Sequence, residues 1–152
     1  MDILEKLQKA GEGDACAQAF VGGAYMLGKA GLPEDERKGV FWLQKAAQQN
    51  HPFAQYCLGH VYIAGLGVPK TPKLGIQWIK KSADNGLADA QNDLGERYAF
   101  GNGVRKDKKA AIEWWKKAAE QGNEDAKRNL RWEAIEVAET EAERKAGFWG
   151  RK

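Results

Sequence analysis

Cysteine and histidine are scarce in this sequence, which has two of each. The two cysteines, Cys16 and Cys57, are too few for a disulfide framework, and their spacing fits no zinc-binding pattern. We expect both thiols to be reduced and packed inside the protein, where a free cysteine behaves as a small hydrophobic group. No cofactor and no metal site is predicted.

Catalytic motifs are missing as well. His51 and His60 form no His-Glu-x-x-His pair, and the sequence contains neither Cys-x-x-Cys nor Gly-x-Ser-x-Gly. Cys16 and His60 could in principle act as a nucleophile and a base, but they belong to different parts of the chain. The sequence therefore indicates a protein that is not an enzyme.

Long apolar runs are also absent, since no stretch approaches the roughly 18 residues that a membrane span requires. Residues 1–5 show neither a basic start nor an apolar segment, so no signal peptide is expected. This favours a cytoplasmic protein, with a periplasmic or secreted location if a leader was removed. The net charge of +3 is too small to indicate nucleic-acid binding by itself.

What the sequence does contain is an internal repeat with a period of about 36 residues. Residues 54–68 and 90–104 share the pattern Ala-x-x-x-Leu-Gly-x-x-Tyr-x-x-Gly-x-Gly-Val. Both copies continue with a tryptophan, an alanine and a glycine at equal spacing. A third, weaker copy covers residues 17–50, with one extra residue in its turn. Repeats of this length predict stacked helix pairs that share one continuous core.

Each repeat predicts two helices. Small and apolar residues three and four apart occupy one face of the first helix, and Gly59 and Gly95 on that face predict the close approach of a neighbouring helix. Asp35, Thr71 and Asp107 have equal spacing and predict the N-caps of the second helices. We expect helices at about 14–27, 35–49, 51–64, 71–85, 87–100, 107–121 and 123–146.

Residues 1–147 are expected to form a single solenoid. It would comprise an N-terminal half-unit at 2–12, repeats at about 14–50, 51–86 and 87–122, and a C-terminal capping helix at 123–146, where Arg131 replaces the glycine. Polar end helices keep the stacking faces of such an array from aggregating, so we expect a complete solenoid. Residues 148–152 form a tail. We expect a monomer, with dimerisation through Phe148 and Trp149 of the tail as the alternative.

The repeats resemble the Sel1-like repeat family, a relative of the tetratricopeptide repeat, over roughly residues 14–138. Plain tetratricopeptide repeats have a shorter period of about 34 residues and lack the Gly-x-Gly. The resemblance implies an all-α fold, a right-handed superhelical solenoid of TPR-like helix pairs whose first helices line a concave surface. It also implies a non-enzymatic adaptor or scaffold, as in signalling, quality control and bacterial encounters. The paired cysteines of some bacterial members are missing here.

Positions on the concave face that differ between repeats are the candidates for recognition. By analogy with the tetratricopeptide geometry, we expect one groove with an aromatic centre, a polar stretch and an Arg/Trp end. Tyrosine, tryptophan and arginine are the residue types that most often anchor interfaces, so the expected occupant is a partner protein or peptide. The groove residues are Phe53, Tyr56, His60, Asp89, Asn92, Glu96, Arg128 and Trp132.

Two other features leave an alternative open. Trp42, Trp78 and Trp114 occupy one equivalent position per repeat, where filling the space between helices is favoured over a stacking platform for bases or sugars. The basic run 105–109 fits a solvated loop, with docking of RNA or an acidic partner as the alternative. The sequence thus favours a protein-interaction adaptor, in its sharper forms a bacterial immunity or signalling protein, over a small-ligand- or RNA-binding module.

Overall fold

The computed structural model describes residues 2–148, and this part of the chain contains eight helices and no strand. Each of the seven expected helices begins and ends within one residue of an observed helix, and the all-α solenoid fold is confirmed. Trp149 lies outside the described residues. The helices are α1 (Ile3–Gly11), α2 (Ala15–Leu27), α3 (Glu36–Gln48), α4 (Pro52–Ala64), α5 (Pro72–Asp84), α6 (Ala88–Phe100), α7 (Lys108–Glu120) and α8 (Glu124–Lys145).

The helices pack in sequence order. The pairs α2/α3, α4/α5 and α6/α7 form the three units, and α3 packs on α4 and α5 on α6 to join one unit to the next. At the ends, α1 packs on α2 and α8 packs on α7. Among the described helices, none is both long and apolar enough to cross a membrane.

Glycine allows the two helices of a unit to touch, as the sequence predicts. A Cβ atom added to Gly59 would lie 2.5 Å from Cγ1 of Ile79 and 2.8 Å from the carbonyl oxygen of Gly75. At Gly95 it would lie 2.6 Å from the indole ring of Trp115. Only glycine therefore permits this helix spacing without rearrangement.

The predicted caps of the second helices are only partly correct. Asp35 accepts a hydrogen bond from the backbone N–H of Lys38, and Asp107 does the same at the start of α7. Thr71 precedes α5, but its side chain makes no capping bond, and its hydroxyl donates instead to the carbonyl of Pro69 at 3.0 Å. That bond turns the hydroxyl back toward the preceding turn, so the helix starts without a side-chain cap.

The aromatic and thiol predictions need one correction. Trp115 is buried, like the residues one and two repeat periods before it, whereas the three periodic tryptophans are half-buried side chains packed against the core clusters. Cys57 is partly buried, and burial raises the pKa of its thiol to about 11. Cys16 is exposed, so the prediction of a packed thiol is wrong there. The buried face of α2 contains Ala17, and the preceding residue points about 100° away from it.

A buried ladder of glutamines joins the units, and the sequence analysis did not anticipate it. Gln18, Gln55 and Gln91 are at most 5% exposed, and each donates to the carbonyl of an alanine in the preceding second helix at 3.0–3.2 Å. Each side-chain oxygen accepts a hydrogen bond from the amide of residue 49, 85 or 121 at 2.8–2.9 Å. Both ends of every amide are thus satisfied, as buried polar groups require.

Candidate binding surface

A cleft of about 660 Å³ lies where α4, α6 and the start of α8 meet. Five of the eight predicted groove residues line it. α4 contributes Tyr56 and His60, which lie one helical turn apart, and α6 contributes Asp89, Asn92 and Glu96. Since α4, α6 and α8 are all first helices, these side chains share one face of the solenoid. We call this cleft, with Asp93, Arg97, Phe100 and Asp125 on its remaining walls, the acidic cleft.

The other three predicted residues lie elsewhere. Phe53 lines a depression of about 210 Å³ together with Phe20, Gly23 and Leu27, which we call the apolar shelf. Trp132 lines a third depression of about 410 Å³ between α6 and α8. Arg128 is exposed and forms an ion pair with Asp125. The single groove expected from the sequence is therefore divided into separate depressions.

Two cleft residues that were not predicted, Asp93 and Arg97, form its charged wall. Asp93 accepts a hydrogen bond from Nε of Arg97 at 2.6 Å, and its other carboxylate oxygen lies 3.0 Å from Nε2 of His60. The Asp93 and Arg97 side chains are only 15% and 11% exposed. Burial opposes ionisation of Asp93, but the His60 hydrogen bond and the Arg97 charge together outweigh it and lower the pKa of the carboxyl.

The repeat itself contained a signal for this pair. Positions 93 and 97 correspond to Cys57 and Val61 of the preceding unit, at the period of about 36 residues. Val61 is buried, so the third unit has an ion pair where the second has apolar side chains. The ion pair could have been predicted from the sequence by comparing the buried positions of the repeats with one another, in addition to the exposed positions.

Tyr56 contributes a neutral phenol to the cleft. Its ring packs edge-on against the ring of His60, with centroids 4.6 Å apart. Burial, followed by the nearby carboxylates of Asp93 and Asp89, raises the pKa of Tyr56 to about 12. The phenol therefore keeps its proton at neutral pH and can donate a hydrogen bond.

Amide side chains hold the cleft carboxylates in place. Asn123 donates to Asp89 at 3.0 Å, and Asn92 donates to Glu96 at 3.1 Å. Asn129 of α8 donates to Asn92 at 3.1 Å, which links α8 to α6. The cleft therefore presents four carboxylates and one guanidinium on α6 and α8, with the orientation of its polar groups fixed before any ligand arrives.

The basic run beside the cleft is partly neutralised. The ammonium of Lys108 lies 3.2 Å from a carboxylate oxygen of Glu133 and 3.0 Å from one of Glu136. Asp107, inside the run, is occupied as the cap of α7. Within residues 2–148 no group of three or more potential ligand side chains is placed to hold a metal ion.

Comparison with known proteins agrees with this architecture. Residues 17–51, 52–87 and 88–123 each match the family model described as Sel1 repeat. A solved structure of c5321, a protective antigen of uropathogenic Escherichia coli displaying an SLR fold, is 37% identical with a TM-score of 0.76, covering 83% of this chain and 27% of that one. The Sel1 repeat protein from Oxalobacter formigenes is 35% identical with a TM-score of 0.74, covering 78% and 48% of the two chains.

A third similar structure has nearly the same length. Helicobacter pylori cysteine rich protein B is 26% identical with a TM-score of 0.69, covering 84% of this chain and 94% of that chain. The chain thus spans about a quarter and about half of the lengths of the first two proteins. No curated protein matches the sequence.

Proposed function

The chain belongs to the Sel1-repeat family, whose members generally mediate protein–protein interactions, and from this premise we propose that it is a non-enzymatic adaptor that binds a partner protein through its concave face. A bacterial immunity or signalling adaptor is the finer form of this proposal. The bacterial sources of the similar structures support the bacterial part of it.

The acidic cleft is the observation that carries the proposal. Its polar side chains are oriented by hydrogen bonds between α6 and α8, and Phe100 on its border is 78% exposed. An exposed aromatic side chain beside ordered polar groups is typical of an interface anchor. The cleft also differs from the repeat at Asp93 and Arg97, so its chemistry goes beyond what stacking the units requires.

The charge of the cleft argues against the RNA alternative. Four carboxylates and one guanidinium line it, and a net negative surface repels phosphate groups. The basic run is itself partly neutralised, because Lys108 is already paired with two glutamates.

Capture by an immobilised chain tests the proposal. We would pass a lysate of the source organism over the wild type, the double variant Tyr56→Ala/Trp132→Ala, and the control Phe41→Ala, which removes an exposed aromatic side chain from the second helix α3. We expect one stoichiometric protein on the wild type and on the control, and none on the double variant, with unchanged helicity by circular dichroism. Capture that survives the double variant at equal affinity, or no stoichiometric protein at all, contradicts the proposal.

A further inference from the structure

We infer that the partner is recognised through a basic segment: a lysine or arginine enters the acidic cleft while a neighbouring apolar side chain rests on the apolar shelf. This inference depends on the proposed function and specifies its partner. Two independent surfaces carry it, one charged and one apolar, and they meet along α4.

The acidic cleft fits a cationic side chain. Asp89 and Glu96 each accept a hydrogen bond from an asparagine, which fixes them in place, while a carboxylate has further acceptor sites for a ligand. The rings of Tyr56 and Phe100 also line the cleft, and aromatic faces attract ammonium and guanidinium groups. The guanidinium of Arg97 is held by Asp93, and Asp125 is paired with Arg128, so Asp89 and Glu96 provide the excess negative charge.

The apolar shelf fits a bulky hydrophobic side chain. Phe20, Leu27 and Phe53 surround it and are 45%, 62% and 49% exposed. Clustered exposed side chains of this size on a water-soluble surface mark interaction sites. The shelf belongs to the first and second units, whereas the cleft belongs to the second and third, so the surface changes from apolar to acidic along the solenoid.

α4 sets the distance between the two anchors. Phe53 on the shelf and Tyr56 in the cleft are three residues apart on one helix, so their side chains lie on the same face within roughly 5–6 Å. His60, one turn further along α4, is about two turns from Phe53, or roughly 10 Å along the axis. An extended peptide advances about 3.3 Å per residue. The apolar and basic residues of the partner should therefore be about two to three positions apart.

Labelled peptides test the inference directly. We would measure fluorescence anisotropy with a peptide that has one phenylalanine three positions from a Lys-Lys pair in a Gly/Ser background, a second with Glu-Glu, and a third with serine for phenylalanine. We expect the first to bind at least about tenfold more tightly than either of the others, and its affinity to fall as salt is raised.

Charge-matched variants identify the site of binding. Asp89→Asn/Glu96→Gln removes two carboxylates from the cleft while preserving side-chain shape, and Glu113→Gln/Glu120→Gln removes two from α7 as the control. We expect the first double variant to weaken binding of the basic peptide about tenfold, and the second to leave it close to the wild-type value.

The inference and the proposed function can fail separately. If the basic peptide does not bind, or binds no better than the acidic one, or binds equally to both double variants, the inference is wrong. In each case the adaptor proposal still stands if Tyr56→Ala/Trp132→Ala removes the captured protein. If the basic peptide binds at the cleft but no protein is captured from lysate, the recognition chemistry stands and the adaptor proposal fails.

Discussion

The second and third units of the solenoid share one scaffold but present different chemistry. Leu58 and Leu94 are equally buried, and a glycine follows each of them at the contact with the second helix. The second unit, however, has the apolar side chains of Cys57 and Val61 where the third unit has the charged side chains of Asp93 and Arg97. Two differences between the units thus replace largely buried apolar side chains with an ion pair on the same helical scaffold.

The largest expected effect comes from separating the ion pair that distinguishes the two units. Arg97→Val would leave the Asp93 carboxylate largely buried with only His60 beside it. Removing one partner of a buried pair costs about 3 kcal/mol, so we expect the free energy of unfolding in urea to fall by about that amount.

Replacing both residues of the ion pair with their second-unit equivalents tests whether the third unit requires the pair for stability. Because apolar replacement of an entire buried pair is often neutral, we expect Asp93→Cys/Arg97→Val, measured under reducing conditions, to lie within about 1 kcal/mol of the wild type. A double variant as unstable as the single one would show that the ion pair, and not the apolar alternative, is what the scaffold requires here.

A smaller effect tests the scaffold that both units share. Gly59→Ala places a Cβ against Ile79 and the backbone of Gly75. Overpacking of about 3 kcal/mol exceeds the gain of about 1 kcal/mol in helix propensity, so we expect a net loss of about 2 kcal/mol. Gly23→Ala is the control, since no atom lies within 4 Å of its added Cβ, and it should stabilise the protein. Thermal unfolding of both variants measures the difference, and equal effects would contradict the packing explanation.

The histidine cap at the start of α4 gives a prediction about pH dependence. His51 caps this helix by accepting a hydrogen bond from the N–H of Ala54, which requires a neutral ring. Burial lowers the pKa of His51 below its usual 6.5. The neutral form is therefore favoured in the folded state, so this stability is present above about pH 6.5 and is lost as the pH falls through the lowered pKa.

His51→Asn copies the start of α8, where Asn123 caps through its side-chain oxygen. Since a side-chain cap is worth about 1 kcal/mol, we expect the variant to be at least as stable as the wild type at pH 7 and to keep that stability at pH 5, where the wild type loses part of it. Urea unfolding at the two pH values measures this, and parallel losses in both proteins would contradict it.

The smallest expected effect appears in acid. The pKa of Asp93 is lowered, so its contribution to stability is complete above about pH 4 and disappears as the pH falls through the folded-state value. Asp93→Cys/Arg97→Val lacks this carboxyl. We therefore expect the variant to lose less stability than the wild type between pH 5 and pH 3 in thermal unfolding, and an identical loss would contradict the assignment.

The repeat made most of the fold predictable. Helix spacing, the close contacts at Gly59 and Gly95, and the buried position of Trp115 all follow from periodicity, because a stacked unit must bury the same face each time. The acidic part of the candidate site was predictable for a similar reason. Adjacent first helices present the same face, so Tyr56 and His60 of α4 lie beside Asp89, Asn92 and Glu96 of α6.

What could not be predicted depends on side-chain partners in three dimensions. Asp93 and Arg97 were overlooked because charged residues suggest a solvated surface until a partner is seen. Gln55 and its equivalents were overlooked because nothing local shows that an amide will find both a carbonyl and a second amide. Phe100 borders both the cleft and the depression at Trp132, and the division of the expected groove depends on such placements.

The glutamine ladder determines how the solenoid comes apart. Each glutamine connects its first helix to the preceding second helix and to the end of the second helix in its own unit. The ladder therefore couples nearest neighbours, and the array behaves as a one-dimensional cooperative chain. The repeat period would place the next glutamine at position 127, but this residue is a lysine that pairs with Glu124 of its own helix. Because α8 lacks the glutamine connection, we expect it to unfold first. Amide hydrogens of α8 should then exchange faster than those of α4. Because Asn123 and Asn129 of α8 orient the cleft, the same opening would switch the acidic cleft between an ordered and a relaxed form.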